Sequence, residues 1–208
     1  MVKRHHFLRL FVLAAATIVG GAIADSAWAR EVIKPSSRPL RWELDFEPGD
    51  LRLFVDQSDG STYLYFTYKV TNNTGQDRTW APSFILYTDT GEIMKSGEGV
   101  PGRLNGELID LLGNEFLEPQ FKIIGDLFQG EGMAREGIVV WPIRDITINE
   151  LKLFVAGVSG ETARTVHPVT KAPIILRKTM QRNYILRGNA LARGSKPAEL
   201  VSTTWVMR

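Results

Sequence analysis

Residues 62–95 read TYLYFTYKVTNNTGQDRTWAPSFILYTDTGEIMK, and this stretch decides the fold. From Thr62 to Val70 the side chains alternate. Leu64, Phe66, Tyr68 and Val70 fall on one face, and Tyr63, Tyr65, Thr67 and Lys69 on the other. A period of two is that of a β-strand. Asn72-Asn73-Thr74-Gly75 then turns the chain, because Asn and Gly tolerate positive φ. Ser83 to Thr88 is a second strand, Asp89-Thr90-Gly91 a tight turn, and Glu92 to Lys95 pairs back as a hairpin.

The same grammar extends outward. Trp42, Leu44 and Phe46 alternate with Glu43, Asp45 and Glu47. Pro48-Gly49-Asp50 reads as a turn, and Leu51, Leu53 and Val55 as the next strand. Further strands are predicted over Ile138–Trp141, Glu150–Ala156 and Ile174–Leu186, the last long enough to need a bend or bulge. The middle of the chain differs. Leu104, Leu108, Leu111 and Leu112 make a helical stripe stopped by Gly113-Asn114. A second helix is predicted from Pro119 to Gln129, with Phe121, Ile124 and Phe128 on its apolar face, Ile123 and Leu127 beside it, and Gly130 as its cap. Helices occur in this one place, so a parallel α/β fold is excluded. The expected class is mostly β: an antiparallel β-sandwich over 40–187 with a two-helix insertion at about 101–130.

The segment from Tyr65 to Ile93 resembles extracellular immunoglobulin-like domains of the FxLYD type. In these a V-x-N-N-T-G turn precedes an F-x-L-Y-D-x-x-G hairpin. The matching residues are Val70, Asn72, Asn73, Thr74 and Gly75, then Phe84, Leu86, Tyr87 and Gly91; Thr88 stands where the family has Asp. Gly137 to Pro142 and Leu151 to Val155 resemble the paired strands that close such domains. The chain as a whole looks like exported proteins of planctomycete bacteria. The resemblance implies an immunoglobulin-like sandwich and an envelope or surface setting, with no catalytic residues to carry over.

Residues 1–29 have the form of a secretory signal peptide. Lys3, Arg4 and Arg9 precede 15 uncharged residues from Leu10 to Ala24, and Ala27-Trp28-Ala29 offers a small-x-small cleavage site after Ala29. The apolar run is short for a membrane span, so no transmembrane anchor is expected in the mature form. Localisation is then periplasmic or extracellular. Residues 30–39 read as a linker and 188–208 as a C-terminal tail, with Leu200, Val201 and Trp205 available to order part of it. The precursor carries 25 basic and 23 acidic residues, net +2; losing Lys3, Arg4, Arg9 and Asp25 leaves 22 of each. A neutral chain argues against a nucleic-acid partner. Charge is split along the sequence: residues 161–208 hold 9 basic and 2 acidic side chains. The cross-strand reading pairs the basic 174–187 strand with acids such as those at 42–47.

The chemical inventory is sparse. Without Cys, a disulfide scaffold, a zinc finger and a thiol enzyme are excluded. His167, the one histidine left after cleavage, sits in a His-Pro loop, and no G-x-S-x-G occurs. Asp56-Gln57-Ser58-Asp59-Gly60 starts like a calcium loop, but its twelfth position is Thr67 instead of Glu. No cofactor is expected. The expected function is that of a non-enzymatic exported module for protein or envelope interaction. A carbohydrate- or cell-wall-binding module using Tyr63 and Tyr65 is the first alternative, and a carboxylate-dependent hydrolase the second. The candidate binding surface is Tyr63, Tyr65, Phe116, Phe121 and Phe128, the three phenylalanines belonging to the insertion.

Overall fold

The computed structural model describes residues 32–187, 194 and 196–208. The signal-peptide reading, with Ala27 and Ala29, lies outside these residues. β1 (Asp45–Val55) and β2 (Thr62–Thr71) form an antiparallel hairpin whose register runs from Val55↔Thr62 to Asp45↔Thr71. β8 (Arg135–Ile143) pairs with the other edge of β2, and the short β6 (Leu117–Pro119) runs parallel to β8. This gives one sheet in the order β1-β2-β8-β6.

The second sheet is built on β4 (Ser83–Thr88), β5 (Ile93–Lys95), β9 (Glu150–Ala156) and β11 (Pro173–Ile185), in the order β5-β4-β9-β11. β10 (Thr162–Val166) lines the first part of β11, and β12 (Glu199–Met207) pairs with it from Lys178 onward. The irregularity expected in this long strand falls in its partner instead: β11 pairs with β9 without a shift from Met180 to Ile185, and the extra residue opposite Asn183/Tyr184 is Val201 of β12. β3 (Arg78–Trp80) and β7 (Gly125–Leu127) make a small separate ladder. The chain is therefore mostly β, with several antiparallel sheets.

The two large sheets share one apolar core. Leu51, Leu64, Phe66, Val139 and Trp141 from the first meet Phe84, Leu86, Leu153, Val155 and Tyr184 from the second. Tyr68 lies at its aromatic centre, with ring centroids 4.9 Å from Phe84 and 5.2 Å from Phe46. Its ring covers Gly137, the cross-strand partner, where a Cβ would come within 2.3 Å of Tyr68 Cζ. Only glycine leaves room for that ring.

Two sequence expectations are corrected. Pro48-Gly49-Asp50 does not turn the chain: β1 runs through it with a register shift between Pro48 and Leu51. A bulge accommodates Pro in an edge strand, and a Cβ on Gly49 would strike Thr67 Oγ1 at 2.3 Å. The insertion holds one α-helix, α1 (Gly102–Leu112), and not two. Over 119–129, one turn closes on the Pro119 carbonyl, Gly125 then takes φ +153, and Leu127 is drawn into pairing with Arg78. Ile123 and Leu127 mimic a helical spacing, but they reach the core from turn and strand. In the C-terminal segment the ordered part, holding Leu200, Val201 and Trp205, is β12, a strand of the second sheet. Ser36, within the segment read as a linker, is anchored: Glu161 accepts its N–H at 2.9 Å and Lys178 Nζ donates to its carbonyl at 3.2 Å.

The last contact belongs to a buried charge cluster. Lys178 Nζ lies 2.5 Å from Glu43 Oε1 and 3.5 Å from Glu161 Oε2, and 4.9 Å from the Trp205 ring centroid. Beside it, Leu44 donates its N–H to the Val158 carbonyl, and Gly160 donates to that of Trp42. The segment entering β1 is thus tied to the second sheet at the β9–β10 junction. Glu43–Lys178 is one ion pair between the acidic 42–47 segment and the basic 174–187 strand, formed without a shared ladder.

Candidate interaction surface

β2 is covered on both faces. Its second face presents Tyr63 and Tyr65, which with Ile138 and Val140 of β8 form a smaller apolar cluster under α1. Leu104 and Leu108, one helical turn apart, fill it from above and are fully buried. Pro101 caps the helix start, and Gly113 in the left-handed conformation ends it by donating its N–H to Ile109 and Asp110 carbonyls.

Arg103 fixes the N-terminal turn of α1. Its guanidinium donates to Asp56 Oδ2 at 2.5 Å, to Ser58 Oγ at 3.0 Å and to Glu107 Oε1 at 2.7 Å. Asp56, itself buried, also accepts the Ser58 N–H and hydroxyl at 2.8 and 2.7 Å. Hydrogen bonds from Arg103 first, then from Ser58, hold its carboxyl at about 2. The carboxylates of the β1–β2 loop that resembled a calcium site are therefore answered by arginine, Asp59 standing 3.9 Å from the same guanidinium.

With its inner face locked, α1 turns its outer face to a groove of roughly 630 Å³. Asn105, Gly106 and Ile109 line it from the helix, and Leu117, Pro119 and Phe121 from the returning chain. Space around Gly102 and Gly106 is open, so their missing side chains leave the helix side of the groove bare. Ile109 also borders a second depression of roughly 450 Å³ that contains Phe116. Phe121 is 70% and Phe116 68% exposed. Exposed aromatics grouped around one helix are the kind of surface that mediates recognition.

The predicted set therefore divides. Phe116 and Phe121 line two separate depressions that share Ile109. Phe128, half exposed, lies beyond β7 and borders neither depression. Tyr63 and Tyr65 are 4% and 5% exposed and serve as the floor under α1. His167 has a local role: its Nδ1 accepts the N–H groups of Val169 and Thr170 at 3.2 and 3.1 Å, shaping the β10–β11 turn. Among the described residues no cluster of three His, Asp or Glu side chains is spaced to hold a metal ion. No described helix is long and apolar enough to cross a membrane.

Sequence reading missed Gly102 and Gly106 as groove formers. Their signal is two glycines one turn apart inside a helical stripe, where Gly lowers helix propensity and so asks for another reason. No family model, curated protein or solved structure matches the chain.

Proposed function

We propose that this chain is an exported, non-enzymatic, immunoglobulin-like module that binds a partner protein of the cell envelope along the outer face of α1. The carrying observation is the groove itself: Phe116 and Phe121 displayed around Ile109, on a helix whose other face is fixed to the core. Rigid display lowers the entropy lost on binding. Support for the immunoglobulin-like assignment is the strand order. β1-β2-β8 against β5-β4-β9-β11 follows the A-B-E and C′-C-F-G order of such sandwiches. β6 departs from it by running parallel to β8, and β12 is an added strand beyond G. Support for export is the charged, apolar and small-residue sequence of 1–29. Tyr63 and Tyr65, buried under α1, offer no surface on which a sugar ring could stack.

The test is cross-linking capture from an envelope fraction with four proteins: the parent, Phe116→Ser/Phe121→Ser, Gly106→Leu and Phe128→Ser. Leucine at 106 enters open space and is a better helix former than glycine, so the fold tolerates it. The reading expects one partner captured by the parent and by Phe128→Ser, and lost from the other two at unchanged melting temperature. A partner retained by Gly106→Leu and by the double serine variant removes the groove from the interaction.

A further inference from the structure

The outer strands of the two sheets are guarded unequally. β1 carries Pro48, a bulge and the charges of Asp45, Glu47, Asp50 and Arg52. β6 and β5 are three residues long, and end in Pro119 and Lys95. β10 has five residues with Arg164 at its middle. These are the devices by which edge strands avoid pairing with other chains. β12 spans nine residues, and from Leu200 to Met207 it has neither a charge nor a proline.

The hydrogen-bond phase of β12 shows what its outer edge offers. Arg177 and Arg208 exchange both backbone bonds, at 2.7 and 3.1 Å. In an antiparallel ladder such pairs alternate with non-bonded ones. Thr179–Val206 and Gln181–Thr204 are then the bonded pairs of the β11–β12 register. The N–H and C=O groups of Thr203, Trp205 and Met207 consequently point away from β11. Among the described residues no strand pairs with that edge. The irregularity at Asn183/Tyr184 leaves Val201 out of register, so the regular edge begins at Ser202.

We propose that β12 is the interface for a second copy of this chain, the two strands joining antiparallel about a two-fold axis through Trp205. In that register Thr203 faces Met207 of the second copy, Trp205 faces its mate, and Thr204 faces Val206. All outward groups of these three residues are used, giving six backbone hydrogen bonds. Moving the axis to Thr204 pairs Met207 with the bulged Val201 and loses that completeness. The occupant is a second copy because the edge is its own complement: it is uncharged from Leu200 to Met207, and the two-fold sets Val206 opposite Thr204 and Trp205 opposite Trp205. The two second sheets would then form one continuous sheet.

Light scattering on the eluting protein across a concentration series tests this. The expected result is a shift from monomer to twice the monomer mass as concentration rises. Thr203→Pro removes an outward N–H and leaves the β11–β12 ladder bonds in place, so it should weaken the dimer at least tenfold with the fold's circular dichroism preserved. Thr204→Lys puts a charge on the exposed outer side of the edge and should do the same. Mixing Thr204→Lys with Val206→Glu should restore association, because position 204 of one copy faces position 206 of the other only in the Trp205-centred register. A monomer at every concentration overturns the proposal, as does a dimer that both folded variants leave intact. Failure of the mixture to associate while the parent dimerises overturns the register.

Discussion

Replacing Lys178 by Met leaves two carboxylates without their cation, and the structure sets the size of the effect. The side chain of Lys178 is 2% exposed, that of Glu161 9% and that of Glu43 22%. Breaking a fully buried pair from one side costs about 3–5 kcal/mol. Two features draw the estimate to the lower end. Glu43 keeps access to water, and Glu161 keeps the Ser36 N–H and hydroxyl as donors. Met preserves the buried stem, so little packing is lost. The expected loss is about 3 kcal/mol, which lowers the melting temperature of a chain this size by roughly 6–12 °C. Urea denaturation at neutral pH, with the slope checked for constancy, measures it. The cost should persist at high salt, because buried charges are poorly screened. The triple variant Lys178→Met/Glu43→Gln/Glu161→Gln removes the stranded charges as well and should recover about 2 kcal/mol of the loss. A loss below about 1 kcal/mol in the single variant, or a triple variant no more stable than the single, would refute the reasoning.

The remaining predictions concern acid stability and close packing. Asp56 is held at about 2 against an ordinary 3.8, mainly by Arg103 and then by Ser58. For Glu161, burial pushes the carboxyl up, but the Ser36 hydroxyl and N–H together with Lys178 outweigh it and leave the group below its ordinary range. A carboxyl depressed in the folded state adds stability above its unfolded pKa and loses it as pH falls through the folded value. Stability should therefore decline as pH drops from about 4 toward 2, and Asp56→Asn should flatten that decline in melts taken across the range. Gly137→Ala should cost about 3 kcal/mol in urea denaturation, the upper end for overpacking. The new methyl meets Tyr68 Cζ at 2.3 Å, and Phe84 and Phe46 leave that ring nowhere to move. Adding Tyr68→Leu should return part of the loss, and no relief would place the strain elsewhere.

Periodicity made most of the fold legible. β4 and β9 have the predicted ends, and β2 extends one residue past Val70. These strands carry strict alternation between turn-forming residues, and nothing in the tertiary structure competes with it. Errors arose where long-range pairing overrode local preference. Pro119, Ile123, Leu127 and Gly130 satisfy a helix template, yet Leu127 gains more from the core and from Arg78 than one helical turn offers. Pro48-Gly49 looks like a turn until Thr67 is placed opposite it. The site was half legible for a related reason. A strand with aromatics on both faces has either a cover on each or one exposed face. Sequence could not choose between these for Tyr63 and Tyr65, because the choice rests on Leu104 and Leu108, some 40 residues away.

That coupling between α1 and β2 governs how the groove can be studied. Excising residues 103–129 would uncover Tyr63, Tyr65, Ile138 and Val140 together and remove the Arg103–Asp56 tie. The resulting loss of any partner would then report unfolding as readily as lost contact. Leu108→Ala has the same fault in smaller form, since a buried leucine truncated to alanine costs about 2–5 kcal/mol. Substitutions on the outward face are separable from the fold: Phe116, Phe121 and Gly106 lie away from the buried cluster that Leu104 and Leu108 fill. The division follows from helical geometry, where residues three and four apart share a face. Leu104 and Leu108 define the structural side and Asn105 and Gly106 the groove side; Ile109 stands at the border, packed against the buried cluster and lining the groove. A helix that spends one face completing the core can change the other with little loss of stability. Substitutions can therefore accumulate on the outer face of α1 while the sheets beneath it stay fixed.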